Sequence, residues 1–215
     1  MDWVAAHTAE IGEWLKRIGL GLSPLLLTPL LALVPVPQLS KYVRGISRTI
    51  DRISGGALYA AITMAIIMVL AQLAVVIARY VFGVAFTWLS EVVTYAFAGM
   101  FLLGACAALR DDEHVRVDIF RPRFGEKGKA LIELLGVYLF IIPITFLVLW
   151  ASAPIVSLAW RTLETSRESD GLPLLYLFKS LIPLFALLLM AQSVSEGIKA
   201  AQTLAGASSS DEEAA

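Results

Sequence analysis

Few residues in this chain are of types that do chemistry, and most of them fall in two short clusters. The first is Arg79-Tyr-Val-Phe-Gly83 followed by Thr87-Trp-Leu-Ser-Glu91. Arg79 and Glu91 can pair across a turn, where an exposed ion pair contributes about 1 kcal/mol or less. Held outward together with Trp88, the same residues make a docking contact for another protein. The second cluster is Arg110-Asp-Asp-Glu-His114-Val-Arg-Val-Asp118. On a helix, Arg110, His114 and Asp118 share one face at four-residue spacing. A metal site can be drawn from Asp111, Glu113, His114 and Asp118, but one histidine among charges of alternating sign fits better a structured loop that pins span 2 to span 3 or to a partner, or else a solvated loop. A further candidate is Lys179, alone in an apolar stretch. It can snorkel outward past Tyr176 or pair with an acid on a partner subunit.

The elements that must position these residues are four stretches without charge: Ile53–Ala78, Val92–Leu109, Leu134–Trp160 and Ser180–Ser195, of 26, 18, 27 and 16 residues. A helix rises about 1.5 Å per residue, so roughly 20 residues cross a hydrocarbon core of about 30 Å. Continuous apolar runs are not the alternating pattern of barrel strands, and in lipid only helices or closed barrels satisfy their own backbone. The fold class expected is all-α and integral to the membrane. It has four transmembrane helices, near 55–78, 89–109, 132–158 and 173–197, within a membrane domain of 53–200.

Composition excludes much else. The chain is 58% hydrophobic and 16% charged, against about 25% charged in soluble domains. No segment outside the spans is long enough for a soluble catalytic core, so an enzyme is not expected. A net charge of −1 gives nucleic acid nothing to bind. The single cysteine, Cys106, allows no intramolecular disulfide and no cysteine-ligated metal cluster. The two histidines, His7 and His114, lie outside the spans, so axial ligands for a membrane haem are missing. No cofactor is expected. Acid, histidine and arginine are absent from the middle of every span, and no pair of broken helices in matching halves marks a transport core of its own.

Lysines and arginines set the orientation. Eleven lie beside the ends of the spans that include Arg52, Arg110 and Lys199; three, Arg79, Arg161 and Arg167, lie at the opposite ends. The basic side is then cytoplasmic and carries the C-terminus, while Tyr80, Trp88, Trp160 and Tyr176 form an aromatic belt at the outer boundary. Residues 1–52 read as a membrane-associated segment. An amphipathic stretch over 2–19 is followed by a proline-broken run (Pro24, Pro29, Pro35, Pro37) expected to be interfacial or re-entrant, with a fifth span as the alternative. A basic amphipathic stretch then covers 41–52. Residues 201–215 read as a disordered acidic tail. Span 2 is rich in small residues, among them Gly99, Gly104 and Ala108, which permit close helix approach and suggest it is the central helix.

Taken in order, Arg79–Gly83, Trp88 with Glu91, a small-residue span with Gly104, His114 with Asp118, Gly171-Leu-Pro173 and Pro183 resemble the small, Q-type (DctQ-like) permease subunit of TRAP transporters. The resemblance covers about residues 50–200. It implies a bacterial inner-membrane protein that pairs with a large M-type permease subunit and a periplasmic substrate-binding protein, with membrane lipids around it. In that family the sodium and substrate sites belong to the large subunit, and organic acids are taken up. The small subunit resembles a fixed scaffold. By carry-over Arg79, Trp88 and Glu91 would lie at an outer docking edge, and His114 and Asp118 would organise the cytoplasmic loop. Two other readings remain at this stage: a membrane anchor for a redox or other enzyme complex, and a stand-alone oligomeric channel or exporter.

Overall fold

The computed structural model describes residues 26–33, 37–111 and 124–206. Among these there is no strand. The first long helix, α1, runs Pro37–Tyr80, 44 residues or about 66 Å at the standard rise. The basic stretch 41–52 and the first charge-free run are therefore one uninterrupted helix. Nothing breaks it, because no proline occurs between Gln38 and Tyr80, and its buried face passes without a gap from Val43, Ser47, Ile50 and Ser54 to Ala57 and Ala61. A tight turn follows, with Gly83 in the left-handed region at φ +69°, where a side chain would be strained. Then comes α2, Thr87–Arg110.

The third crossing is compound. Helix α3, Glu126–Gly136, passes through a π turn, Val137–Ile141, into α4, Ile142–Thr162. The π turn lies beside Pro143, whose nitrogen has no hydrogen to donate, and widening the ladder there absorbs the missing bond. The last helix, α5, is Leu175–Leu204. It takes in residues 201–204, which composition placed in the tail. Among the described residues four helices are thus long and apolar enough to cross a membrane. The expected readings of residues 2–19 and of the tail beyond 206 lie outside the described residues.

Packing corrects one expectation. The helix that touches all the others is α5, not α2. Helix α2 packs on α1 and α5 only. It gives its glycines to α1: a Cβ on Gly99 would lie 3.2 Å from Met64 Cγ, and one on Gly104 would lie 3.7 Å from Ala61 Cβ. Ala108 is half-buried. Helix α5 has Ala186, Ala191, Ser193, Ser195, Gly197, Ala200 and Ala201 from its middle onward, and close approach on several sides follows from that. Ser193 satisfies its own hydroxyl on the Met190 carbonyl at 2.8 Å.

Residues 26–32 are helical and lie on α5. Seven residues rise about 10 Å, too short to cross. Pro29 sits over Gly197, where an added Cβ would come within 3.2 Å of its ring. The Tyr138 hydroxyl, within the π turn, donates to the Leu26 carbonyl at 2.6 Å. Helices α1 and α4 do not pack on each other, so the long helices form a row, α1–α2–α5–α4, that is open along its length and closes at its basic end, where α1 also packs on α5 and where α3 and the 26–32 helix lie.

Replacing Gly197 by valine forces Pro29 off α5. Overpacking of this kind costs about 1–3 kcal/mol. The melting temperature of the detergent-purified chain should fall by several degrees, while Gly45→Val on open surface should leave it unchanged; equal melting temperatures for all three proteins would refute the close contact.

Candidate functional site

At the end of the row where α1 turns into α2, Glu91 holds the α4–α5 connection. One carboxylate oxygen accepts the Leu172 amide at 2.6 Å; the other accepts the Ser166 hydroxyl. The connection closes on itself as well. The Ser166 amide donates to the Leu172 carbonyl at 3.1 Å, and the Glu168 amide donates to Ser166 Oγ at 3.2 Å. A Cβ on Gly171 would collide with Ser166 and come 3.0 Å from the Glu91 carboxylate, so the latch needs glycine there. Charge-assisted bonds of this sort are the strong ones, and this carboxylate is only partly exposed.

Lys179 belongs to the same assembly. Its ammonium meets Glu164 Oε2 at 2.5 Å, and the Glu164 carbonyl accepts the Tyr176 amide at 3.2 Å. The acid it pairs with is thus its own chain's, because the connection folds back over the start of α5. The Trp160 indole donates to Ser180 Oγ at 2.8 Å and meets Tyr176 edge-on at 4.9 Å. Tyr95 stacks on Phe178 at 4.4 Å, binding α2 to α5 just inside the latch.

The structure therefore divides the four residues expected at this edge. Glu91 and Lys179 are engaged within the chain, and Glu91 does not pair with Arg79. Arg79 is exposed, and Trp88 is 39% exposed beside Phe86. Around them Tyr80, Val81 and Phe82 project with more than two-thirds of their surface open. The edge presents one cation and an apolar, aromatic rim, backed by a connection that cannot swing freely.

A second polar centre, at the opposite end, was not foreseen. Asp51 Oδ1 accepts Gln192 Nε2 at 3.0 Å and the Ser195 hydroxyl at 2.9 Å, and Lys199 lies 3.2 Å from Oδ2. Ser54 donates to Gln192 Oε1 at 2.5 Å, Ser47 and Ser195 share a bond of 2.7 Å, and Glu196 takes Lys199 at 2.8 Å. Arg110 adds a long bond of 3.4 Å to the Asp51 carbonyl from α2, while its guanidinium is held by Asp111 at 2.7 Å. That hydrogen bond keeps the Asp111 carboxyl below its usual pKa. This seam fastens α1, α2 and α5 together. One signal was present in the sequence: Gln192, Ser195 and Lys199 fall on one face of α5. His114 and Asp118, expected to organise the adjoining loop, lie outside the described residues, and among the described residues no group of acids, histidines and cysteines is placed to hold a metal.

Residues 68–203 match the family described as tripartite ATP-independent periplasmic transporters, DctQ component. The chain belongs to the DctQ family. Neither a curated protein nor a solved structure matches it. The matched stretch takes in the Glu91 latch and the α5 side of the seam, while Asp51 and the whole first half of α1 precede it. As a DctQ component the protein is a small, multi-pass inner-membrane subunit of a TRAP transporter, a class whose complexes contain a large permease and a periplasmic binding protein. Membership disfavours both the redox-anchor and the stand-alone channel readings.

Glu91→Ala removes two bonds to a charged acceptor, together worth about 1.5–3 kcal/mol or more. Amide hydrogen exchange over residues 163–174 should rise at least tenfold in this variant, with α1 unaffected. Unchanged protection at Leu172 would show that the latch does not hold the connection.

Proposed function

We propose that this DctQ subunit is a non-catalytic scaffold. In this reading it lies side-on against the large permease subunit, stiffens the part that stays still during transport, and helps seat the periplasmic binding protein during sodium-coupled uptake of an organic acid. One observation carries the reading: the row is open. Phe97 and Phe101, on the middle helix α2, are 54% and 65% exposed, and only 11% of the most apolar window of α1 is buried. A row one helix thick leaves such residues open to lipid or to the side of a neighbouring subunit. Exposed apolar surface on this scale needs lipid or protein to cover it. Asp51, Lys179 and Lys199, near the ends of the spans, are paired within the chain, which supports assigning the cargo and ion sites to the large subunit.

The excess of basic residues beside Arg52, Arg110 and Lys199 supports placing that end, with the C-terminus, in the cytoplasm. The opposite end, with Arg79, Trp88 and the latched connection, then faces the periplasm, where the binding protein docks. An exposed arginine at such a rim acts mainly on encounter rate.

Vesicles containing the large subunit, given the binding protein, should take up solute along an inward sodium gradient only when this chain is also present. Full uptake by the large subunit alone would reject the scaffold role. Arg79→Glu should slow association of the binding protein and flatten its salt dependence, with the sodium dependence of transport unmoved; a shift in sodium dependence with normal docking would contradict the placement. A C-terminal reporter should register the cytoplasm.

A further inference from the structure

One face of α1 changes character along its length in an order that matches a single lipid molecule. At 3.6 residues per turn, Arg48, Arg52, Gly55, Gly56, Tyr59, Ile62, Ile66, Leu70 and Leu73 fall within an arc of about 120°. Arg48 and Arg52 are exposed and make no ion pair among the described residues. The only acid on this part of the helix, Asp51, is turned to α5 by Gln192, Ser195 and Lys199. Next on the face, Gly56 leaves bare surface: a Cβ there would meet nothing within 4 Å. Tyr59 follows, 75% exposed. Beyond it come Ile62, Ile66, Leu70 and Leu73, each about half exposed or more.

Depth agrees with chemistry. Arg52 directly precedes the charge-free run that starts at Ile53, so it stands at the hydrocarbon boundary. Arg48 is one turn further out, about 6 Å, within the headgroup layer. Except at Gly55, where Arg110 of α2 would lie 3.1 Å from an added Cβ, the face points away from the rest of the protein. Ala57, Ala61 and Ala71, which are buried, lie on the other side of the helix, and the face therefore forms the outer edge of the row.

We propose that this edge is a binding site for one anionic phospholipid. Arg48 and Arg52 clamp its phosphate headgroup, the bare glycine surface and the Tyr59 hydroxyl receive its glycerol and ester region, and the Ile62–Leu73 stripe carries an acyl chain. The site commits to lipid rather than to a protein because the cationic, small and apolar zones succeed one another along the membrane normal on a single helix face. It lies before or at the very start of the family match, on a part of α1 that the latch does not reach and that the seam touches only through Arg110 at Gly55. The scaffold role is not required for it.

The test is native mass spectrometry of the full chain in detergent, titrated with phosphatidylglycerol and phosphatidylcholine of identical acyl chains. Phosphatidylglycerol should bind in preference. Each juxtamembrane cation contributes a factor of about five to anionic-lipid binding, so R48Q/R52Q should lose on the order of 25-fold in phosphatidylglycerol affinity and nothing in phosphatidylcholine affinity. R48K/R52K, which keeps charge, should retain most of the preference and controls for folding. Equal affinity for the two lipids, undiminished phosphatidylglycerol binding by R48Q/R52Q, or displacement of the lipid by inorganic phosphate would each overturn the proposal. So would a glutamine variant that keeps the lipid but loses the co-purifying large subunit, since the arginines would then serve a protein interface.

Discussion

Close approach to α5 is the constraint on which the rest depends. In a bilayer there is no hydrophobic drive between helices, because lipid tails cover a leucine as well as another leucine does. What holds the row together must therefore be short-range packing and hydrogen bonds. Helix α5 supplies both over the stretch from Ala186 to Ala201, where small side chains let α1, α3 and the 26–32 helix come within reach and Gln192, Ser195 and Lys199 meet Asp51. Leaving Asp51 there unpaired would cost far more than an exposed pair gains, so the seam fixes the register of α1 against α5. Once that register is set, Gly99 and Gly104 bring α2 onto α1, and α2 fills the space between them.

The two ends of the molecule solve different problems. The basic end is drawn together, with Asp51, Gln192, Ser195 and Lys199 engaged internally and Arg48 and Arg52 left facing outward. The other end is held by the Glu91 latch together with the Lys179–Glu164 pair and the Tyr95–Phe178 stack. Glu91 immobilises a connection that would otherwise be a mobile tether between α4 and α5, and in doing so leaves Arg79, Trp88 and the aromatic rim as the features free to meet another molecule. Rigid backing with an exposed rim suits a subunit whose work is to hold still. Between the ends, the middle of the row remains thin, and its apolar sides are the surface left for lipid and for a larger neighbour.

The spans were legible because their evidence is local. A run such as Ile53–Ala78 without charge can hardly be anything other than a crossing helix, and the fold class followed from four of them. What sequence hid were contacts between residues far apart in the chain. Glu91 is 75 positions from Ser166, and Asp51 is 148 from Lys199, so neither partner can be guessed from spacing. Small residues misled in an instructive way. Those of span 2 are conspicuous as Gly and Ala, but they serve one neighbour. The centre lies in α5, where serines, alanines and Gly197 are dispersed among larger residues. Lys179 was recognisable as unusual, yet its partner Glu164 sits in a connection whose fold could not be read from composition. Arg79 and Trp88 are exposed in the structure, Trp88 beside Phe86, as a position at the end of a charge-free run allows.

The central claim is that the open side of this row is covered by the large permease subunit. A photo-crosslinking amino acid placed at Phe101 in the assembled complex addresses it most directly, because that side chain is 65% exposed on the middle helix. Side-on packing requires a covalent product with the large subunit from Phe101 and none from Val194, which is fully buried. Capture of lipid alone at Phe101, from a complex that is otherwise intact, would mean that the open side faces the bilayer and that the scaffold is joined elsewhere.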